Sequence, residues 1–399
     1  MTRFKSWVVT DISSDVWLDS LVVNQDSLRL PIGQRWSIRK RTLRGGLRDG
    51  IDLLEVENGA LSFSVLPTRG MGIWRGEYRG NFLGWHAPVK GPVHPKFVNL
   101  DHRGGLGWLT GFDELLCRCG LASNGPPGVD VRTDGAGGAS SMPLTLHGRI
   151  ANQPAHYVEV RIDLERPHEM SVIGRVAEGG LFFPHLHLTS TISTLPGWNR
   201  FVVHDVVENR GAQPTEMQML YHCNIGPPFL EVGSRLAMPS REVSPISQRA
   251  AKGIARYDVC SGPTAGFAEQ VYCMLPATDS EGRCSALLYS PSGERGLCMR
   301  WNQRELPCFT LWKNTAAHED GYVTGLEPGT NFPNPRSFER KNGRVQTLEP
   351  GARWECTWSL EVLDSRDEIN NTLAALVELQ SKSPAMVHRT PQARISSQA

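Results

Sequence analysis

The sequence predicts an all-β fold, a large antiparallel β-sandwich with few short helices, and three observations carry that expectation. Apolar and polar side chains alternate residue by residue in run after run, the period of a half-buried strand. Gly- and Pro-rich turns separate these runs, and convincing helical spacing emerges at one place alone. No stretch repeats itself at a period of about 20–50 residues, which argues against propellers and solenoids.

Taken in order, residues 1–44 read as an N-terminal extension with short elements at 15–21 and 28–36. The sandwich domain is expected over 45–365 and is entered through glycine-rich 45–50. Leu61, Phe63 and Val65 alternate with small residues until Pro67-Thr68-Arg69-Gly70 breaks the run. Short strands follow at 72–78 and 82–86, and 104–116 has room for one or two helical turns. Residues 122–142, rich in Gly, Pro, Ser and Asp, read as a long loop, a length that usually signals function or mobility. Alternation returns at Val158, Val160, Ile162 and Leu164, then at Phe201, Val203, Asp205 and Val207. Further strands are expected at 214–224, 270–275, 285–289 and 306–313. The clearest is 353–362, where Trp354, Cys356, Trp358, Leu360 and Val362 face one way. At 367–382 a stripe of Ile369, Leu373, Leu376 and Val377 predicts a helix. It opens a C-terminal segment, 366–399, whose polar tail beyond Pro384 reads as disordered.

Composition narrows the function classes. The chain has 399 residues, 40% hydrophobic and 21% charged, with a formal net charge of +1. That balance gives no electrostatic case for nucleic acid or an anionic membrane as a partner. The basic stretch 35–48 lacks the interleaved aromatics of a stacking platform and reads as a solvated face. No apolar run has the length of a signal peptide or a membrane span. Nine scattered cysteines without a CxxC pair suit a reducing compartment, so the expectation is a soluble, cytoplasmic protein.

The candidate chemistry centres on 321–331, GYVTGLEPGTN. Alternation puts Val323, Gly325 and Glu327 on one face, so Glu327 stands beside a residue without a side chain. Pro328 holds Glu327 extended and Gly329 permits a turn directly after it, which suits a general base. In 214–224, PTEMQMLYHCN, one face carries Glu216, Gln218, Leu220, His222 and Asn224, and the other carries Met217, Met219, Tyr221 and Cys223. An apolar back and a hydrogen-bonding front fit the floor of a wet groove. LTLHGRIAN at 144–152 sets His147 before Gly148 and Arg149, and PTRG at 67–70 sets Arg69 in a strand-ending turn.

These strings, in this order, resemble the galactose mutarotase-like superfamily, the aldose 1-epimerases. The likeness extends over roughly 53–363 and is strongest to an uncharacterised bacterial branch with similar PxRG, GWLxGF, LHGRIxN, LYHxNxG and GLEPGN strings. The resemblance implies that His147 is the first active-site histidine, His222 the general acid and Glu327 the general base. The asparagine-arginine segment that usually precedes the first histidine is not recognisable, and Arg69 is the candidate for its role. Asp113 and Asp320 are candidates for the sugar-binding aspartate.

The implied reaction flips a sugar anomer. A base takes the proton from the C1 hydroxyl, an acid protonates the ring oxygen, and the opened ring recloses on the other face. Acid and base are expected on different strands several ångströms apart. Only protons move, so no metal or cofactor is required. His147 would bond the ring region, Arg69, Arg149, Asn224 and Asn331 would hold hydroxyls, and Trp312 would stack on the sugar. Other features rank lower: His185-x-His187 lacks a third metal ligand, Cys117-x-Cys119 sits beside carboxylates that raise thiol pKa, and no Gly-Lys-Ser/Thr follows 104–107. His318-Glu319-Asp320 reads as a groove rim or a solvated turn. Two other readings compete: isomerisation or elimination on an oxidised sugar in the same groove, and carbohydrate binding without turnover.

Overall fold

A computed structural model describes residues 3–133 and 139–399. Two large sheets stack on one another, of ten and fourteen strands. Pairing is antiparallel throughout both, except where Met386–Val387 runs parallel to Ser240–Pro245. Inward-facing residues of both sheets fill the space between. Phe63 meets Phe201 with ring centroids 5.5 Å apart, Tyr221 meets Trp358 at 5.2 Å, and Trp301 stacks on Phe309 at 5.4 Å. The alternation in 353–362 holds, since Cys356, Trp358, Leu360 and Val362 are all buried in this core.

A buried ion pair crosses that core. Arg118 donates to Asp205 through Nε at 2.5 Å and Nη2 at 3.0 Å, with both side chains wholly buried. The Tyr221 hydroxyl donates to the same carboxylate, and the rest of the guanidinium caps the carbonyls of Gly70 and Met71. Removing one partner of such a pair strands a buried charge and costs about 3–5 kcal/mol. Arg118 lies in Leu116–Leu121, whose other face carries Cys117 and Cys119, so this pair fixes one floor strand of the site described below.

Three expectations are corrected. The segment expected as an extension is woven into both sheets: Phe4–Asp11 pairs with Tyr157–Asp163, while Leu21–Asn24 and Ser37–Thr42 continue the larger sheet. Its Val9, Val23, Leu28 and Trp36 belong to the main core, which holds it there. The long loop contains a hairpin, Gly128–Thr133 with Ala139–Leu144, and residues 134–138 lie outside the described ones. The tail is ordered in place. Its Met386–Val387 covers the edge of Ser240–Pro245, and Ile395 is buried against Cys273, Cys308 and Phe332. A helical turn does form within 104–116, at Gly107–Gly111. The expected C-terminal helix is Arg366–Lys382; Ile369 and Leu376 of its stripe are buried, whereas Val377 is exposed. No helix among the described residues is long and apolar enough to cross a membrane.

Candidate active site

Four neighbouring strands of the larger sheet form the floor: Leu116–Leu121, Thr215–Ile225, Val323–Gly329 and Cys308–Asn314. The period of two sends Met217, Met219, Tyr221 and Cys223 into the main core. Their neighbours Leu220 and His222 face the opposite way, beside Trp108, Phe112 and Trp312. Pro328 has no N–H for a ladder, and the pairing between Thr215–Ile225 and Val323–Gly329 skips from Leu220↔Gly329 to Cys223↔Leu326. That register sets His222 opposite Glu327 within the skipped stretch. The two side chains are cross-strand neighbours.

The expectation of several ångströms between acid and base is therefore corrected: His222 Nε2 and Glu327 Oε1 are 3.3 Å apart. Gly325 explains where the carboxyl lies. A Cβ at that position would stand 2.4 Å from Glu327 Oε1, so the expected open space is filled by the carboxyl itself. The 3.3 Å approach is not aligned as a hydrogen bond, and Oε1 has no hydrogen-bond partner among the described residues. A buried carboxyl oxygen left free in this way is ready to accept from a hydroxyl brought by a ligand.

His222 is held through its other nitrogen. Nδ1 lies 2.7 Å from Asn224 Oδ1, and Asn224 Nδ2 donates to the carbonyls of Glu114 at 2.9 Å and His222 at 3.2 Å. Because the amide nitrogen faces two carbonyls, its oxygen faces the imidazole, and Nδ1 carries the proton. Nε2 is left toward Glu327. Asn224 is itself fully buried, so it orients the histidine instead of meeting a ligand as expected.

His147 enters from the loop before Ile150. It adopts φ +58°, and Gly148 adopts +72° where a Cβ would sit 2.2 Å from the Ser123 carbonyl. Only glycine fits that second position. Nδ1–H of His147 donates to the Asn124 carbonyl at 2.8 Å. Asn124 in turn exchanges side-chain amide bonds with Asn331, 2.9 and 3.0 Å long. Asn331, expected to hold substrate, is buried and braces His147 through Asn124.

Burial dominates the electrostatics. It pushes Glu327 well above the usual carboxyl range, an effect that the His147 charge opposes. His222 falls to about 3 through burial and the nearby His147. Burial also works against charge on His147, but the Cys119 sulfur and the Asn124 carbonyl outweigh it and raise the group to about 9. Cys119 correspondingly falls to about 6, because Cys117 and His147 together overcome its burial. The expectation that nearby carboxylates raise both thiols holds for Cys117 in direction, with burial the larger cause, and fails for Cys119. Burial thus favours a proton on the Glu327 carboxyl over one on the His222 imidazole.

These groups open into a cavity of about 460 Å³, within the range of small-molecule sites. His147, His222, Glu327 and Trp312 line it, so four of the expected residues converge. Trp312 donates from Nε1 to Glu269 Oε2 at 2.6 Å, which fixes the indole against the cavity. The remaining expectations are corrected. Arg69 is buried away from the cavity, donating to Glu114 at 2.5 Å, to Asn152, and to the carbonyls of Val93 and Gly111. It orders the wall behind the site. Arg149 is exposed and outside the cavity lining. Asp113 accepts from Trp74 Nε1 at 3.1 Å behind the wall, and Asp320 lies in an exposed turn, neither lining the cavity. His185 Nε2 is 3.0 Å from the Gly180 carbonyl, and His187 packs on His156. Among the described residues no three His, Cys, Asp or Glu side chains form a metal-ligating group.

Sequence reasoning missed Glu269, Asn124, Asn334, Ser397 and Gln398. Asn334 was visible in the string GLEPGTNFPN; the other four carried no signal.

Comparison with known proteins agrees with the fold. The chain is similar to a crystal structure described as "a putative aldose 1-epimerase" from Klebsiella pneumoniae subsp. pneumoniae MGH 78578. The two are 34% identical over 97% of this chain and 99% of that one, with a TM-score of 0.91. A galactose mutarotase-like protein from Clostridium acetobutylicum shares the fold at 13% identity, covering 79% of this chain and 96% of that one with a TM-score of 0.55. The GalM/aldose epimerase homologue from C. elegans does so at 10% identity, covering 79% and 100% with a TM-score of 0.51. No curated protein matches the chain. Residues 48–362 match the family model described as Domain of unknown function (DUF4432), and the chain belongs to that family, with a galactose mutarotase-like fold.

Proposed function

We propose that the protein is an aldose 1-epimerase that interconverts the anomers of an uncharged sugar. The observation that carries this reading is the side-by-side placement of His222 and Glu327, 3.3 Å apart, in the lining of the cavity, with the buried Glu327 Oε1 left without a hydrogen-bond partner among the described residues. Both oxygens that exchange protons in anomer interconversion, the C1 hydroxyl and the ring oxygen, are bonded to C1. A base and an acid standing together suit one carbon better than a pair split across the ring would.

Glu327 as carboxylate takes the C1 hydroxyl proton while Nε2–H of His222 gives its proton to the ring oxygen. The C1–O5 bond breaks, C1 becomes an aldehyde, and rotation about C1–C2 presents its other face. Reclosure returns both protons. The pair starts and ends with one proton. Ring opening leaves the carboxyl protonated and the imidazole neutral, the distribution that burial favours. His147 supports the carboxylate with its charge, and Trp312 offers an indole face for stacking.

The cavity lining supports an uncharged sugar. It contains Glu269 and Glu327 but no Lys or Arg among the described residues, so a phosphate, sulfonate or carboxylate would have to compete with Cys119 and Glu327 for the His147 charge. One-dimensional NMR of anomer exchange tests the proposal across neutral aldoses and their uronic and sulfonated derivatives. Accelerated exchange of neutral sugars with no new product is expected. A constitutional isomer or an unsaturated sugar among the products would replace epimerisation with chemistry at carbon.

A further inference from the structure

The tail that reads as disordered from sequence reaches the cavity. Ser397 and Gln398 line it beside Pro333, Asn334 and Pro335, the turn that follows the strand carrying Glu327. Their position is built in. Asn334 is fully buried, and its Nδ2 donates to the Ile395 carbonyl at 2.8 Å while its Oδ1 accepts from the Ser397 N–H at 3.1 Å. One side chain thus grips the tail on both sides of Ser396. The Ser396 hydroxyl donates to the Ile246 carbonyl at 2.6 Å, and Ile246 also lines the cavity. Further back, His388 and Arg394 both contact the carboxylate of Glu242, and Arg344 donates to the Arg394 carbonyl at 2.8 Å.

This anchoring is unequal along the tail. Ile395 and Ser396 are buried, whereas Ser397 and Gln398 are exposed at the cavity mouth. The first two hold the segment and leave the next two presenting a hydroxyl and an amide. Both groups donate and accept without charge, the chemistry that sugar hydroxyls require. With the anomeric centre at His222 and Glu327, hydroxyls farther along the sugar have this wall to meet.

We propose that Ser397 and Gln398 are specificity-determining residues that bind substrate hydroxyls remote from C1 and favour longer sugars over shorter ones. The substrate class rests on the epimerase reading above; the wall itself rests on the cavity and the tail's anchoring. Losing hydrogen bonds of this kind costs about 1–2 kcal/mol in binding, roughly a tenfold change in affinity.

The test compares the 399-residue chain with a variant lacking residues 397–399, which keeps Ile395 and Ser396. A panel of neutral hexoses and pentoses is read by NMR anomer exchange and by hydrogen–deuterium exchange of the tail. A bound sugar should slow exchange at the Ser397 and Gln398 amides. The shortened variant should show about a tenfold higher KM for hexoses with kcat nearly unchanged, and a smaller preference for hexoses over pentoses. Gln398→Ala should reproduce part of that change if the shortened chain folds poorly. Turnover without tail protection, or an unchanged hexose-to-pentose ratio in both variants, overturns the proposal. If the 399-residue chain exchanges no aldose on the panel, the epimerase reading fails by itself. Tail protection by a bound sugar would then still support the wall, and its absence would overturn that too.

Discussion

Replacing Glu327 by Gln separates the chemistry of this site from its architecture. The substitution keeps the shape that lies over Gly325 and removes a buried acidic oxygen, Oε1, that has no hydrogen-bond partner among the described residues. A proton-transfer group of this kind contributes about 10²–10⁴ in rate, which is about 3–5 kcal/mol of barrier. Stability should move the other way. Burial raises the folded-state pKa of Glu327 above its unfolded value, so the protonated form stabilises the fold fully below the ordinary carboxyl range. That contribution is lost as pH rises toward the raised folded pKa, with a slope of up to about 1.4 kcal/mol per pH unit. The neutral amide escapes this loss. Glu327→Gln should therefore be inactive and more stable than the native protein near pH 7, with the difference closing near pH 4. Anomer exchange by polarimetry, paired with urea unfolding at the two pH values, measures both. Exchange within about tenfold of native would refute the base assignment. A loss of stability that does not depend on pH would refute the electrostatic account.

Three further outcomes follow from neighbouring contacts. Asn224→Ala removes the acceptor that fixes the His222 tautomer and should lower kcat about 10- to 100-fold with KM nearly unchanged, read by steady-state exchange rates. Cys119→Ser removes the sulfur that keeps His147 charged, so the His147 titration should drop from about 9 to below the ordinary histidine value, followed by NMR of the imidazole. Asp113 is raised to about 8 by burial and by Glu114, so native stability should fall as pH rises from about 4 to about 8. Asp113→Asn should flatten that dependence in thermal melts, at up to about 1.4 kcal/mol per pH unit.

Much of the fold was legible because a strand's period of two declares itself within a few residues. Val323, Gly325 and Glu327 do lie on the face opposite Leu326, and His222 does turn away from the core that holds Tyr221 and Cys223. What one chain does not declare is which strands are neighbours and in what register. The separation of His222 and Glu327 was misjudged for that reason, since their contact depends on a pairing interrupted at Pro328. Asn124 and Asn331 are 207 residues apart, and no local pattern links them. Arg69 was expected to hold substrate because its strand-ending turn gives no sign of its partners, yet Glu114 and three further oxygen acceptors bury it behind the site. The tail has no apolar period, and a single Ile395 with a few side-chain bonds suffices to seat it.

Exchange rates of the native protein, Glu327→Gln, His222→Gln and the double variant test most directly whether one shared proton does the work. If the two side chains act as a unit, the double variant should be about as slow as the worse single one, as for residues of one catalytic group. Losses that multiply, or a pair of singles that leave exchange at the native rate, would contradict the account.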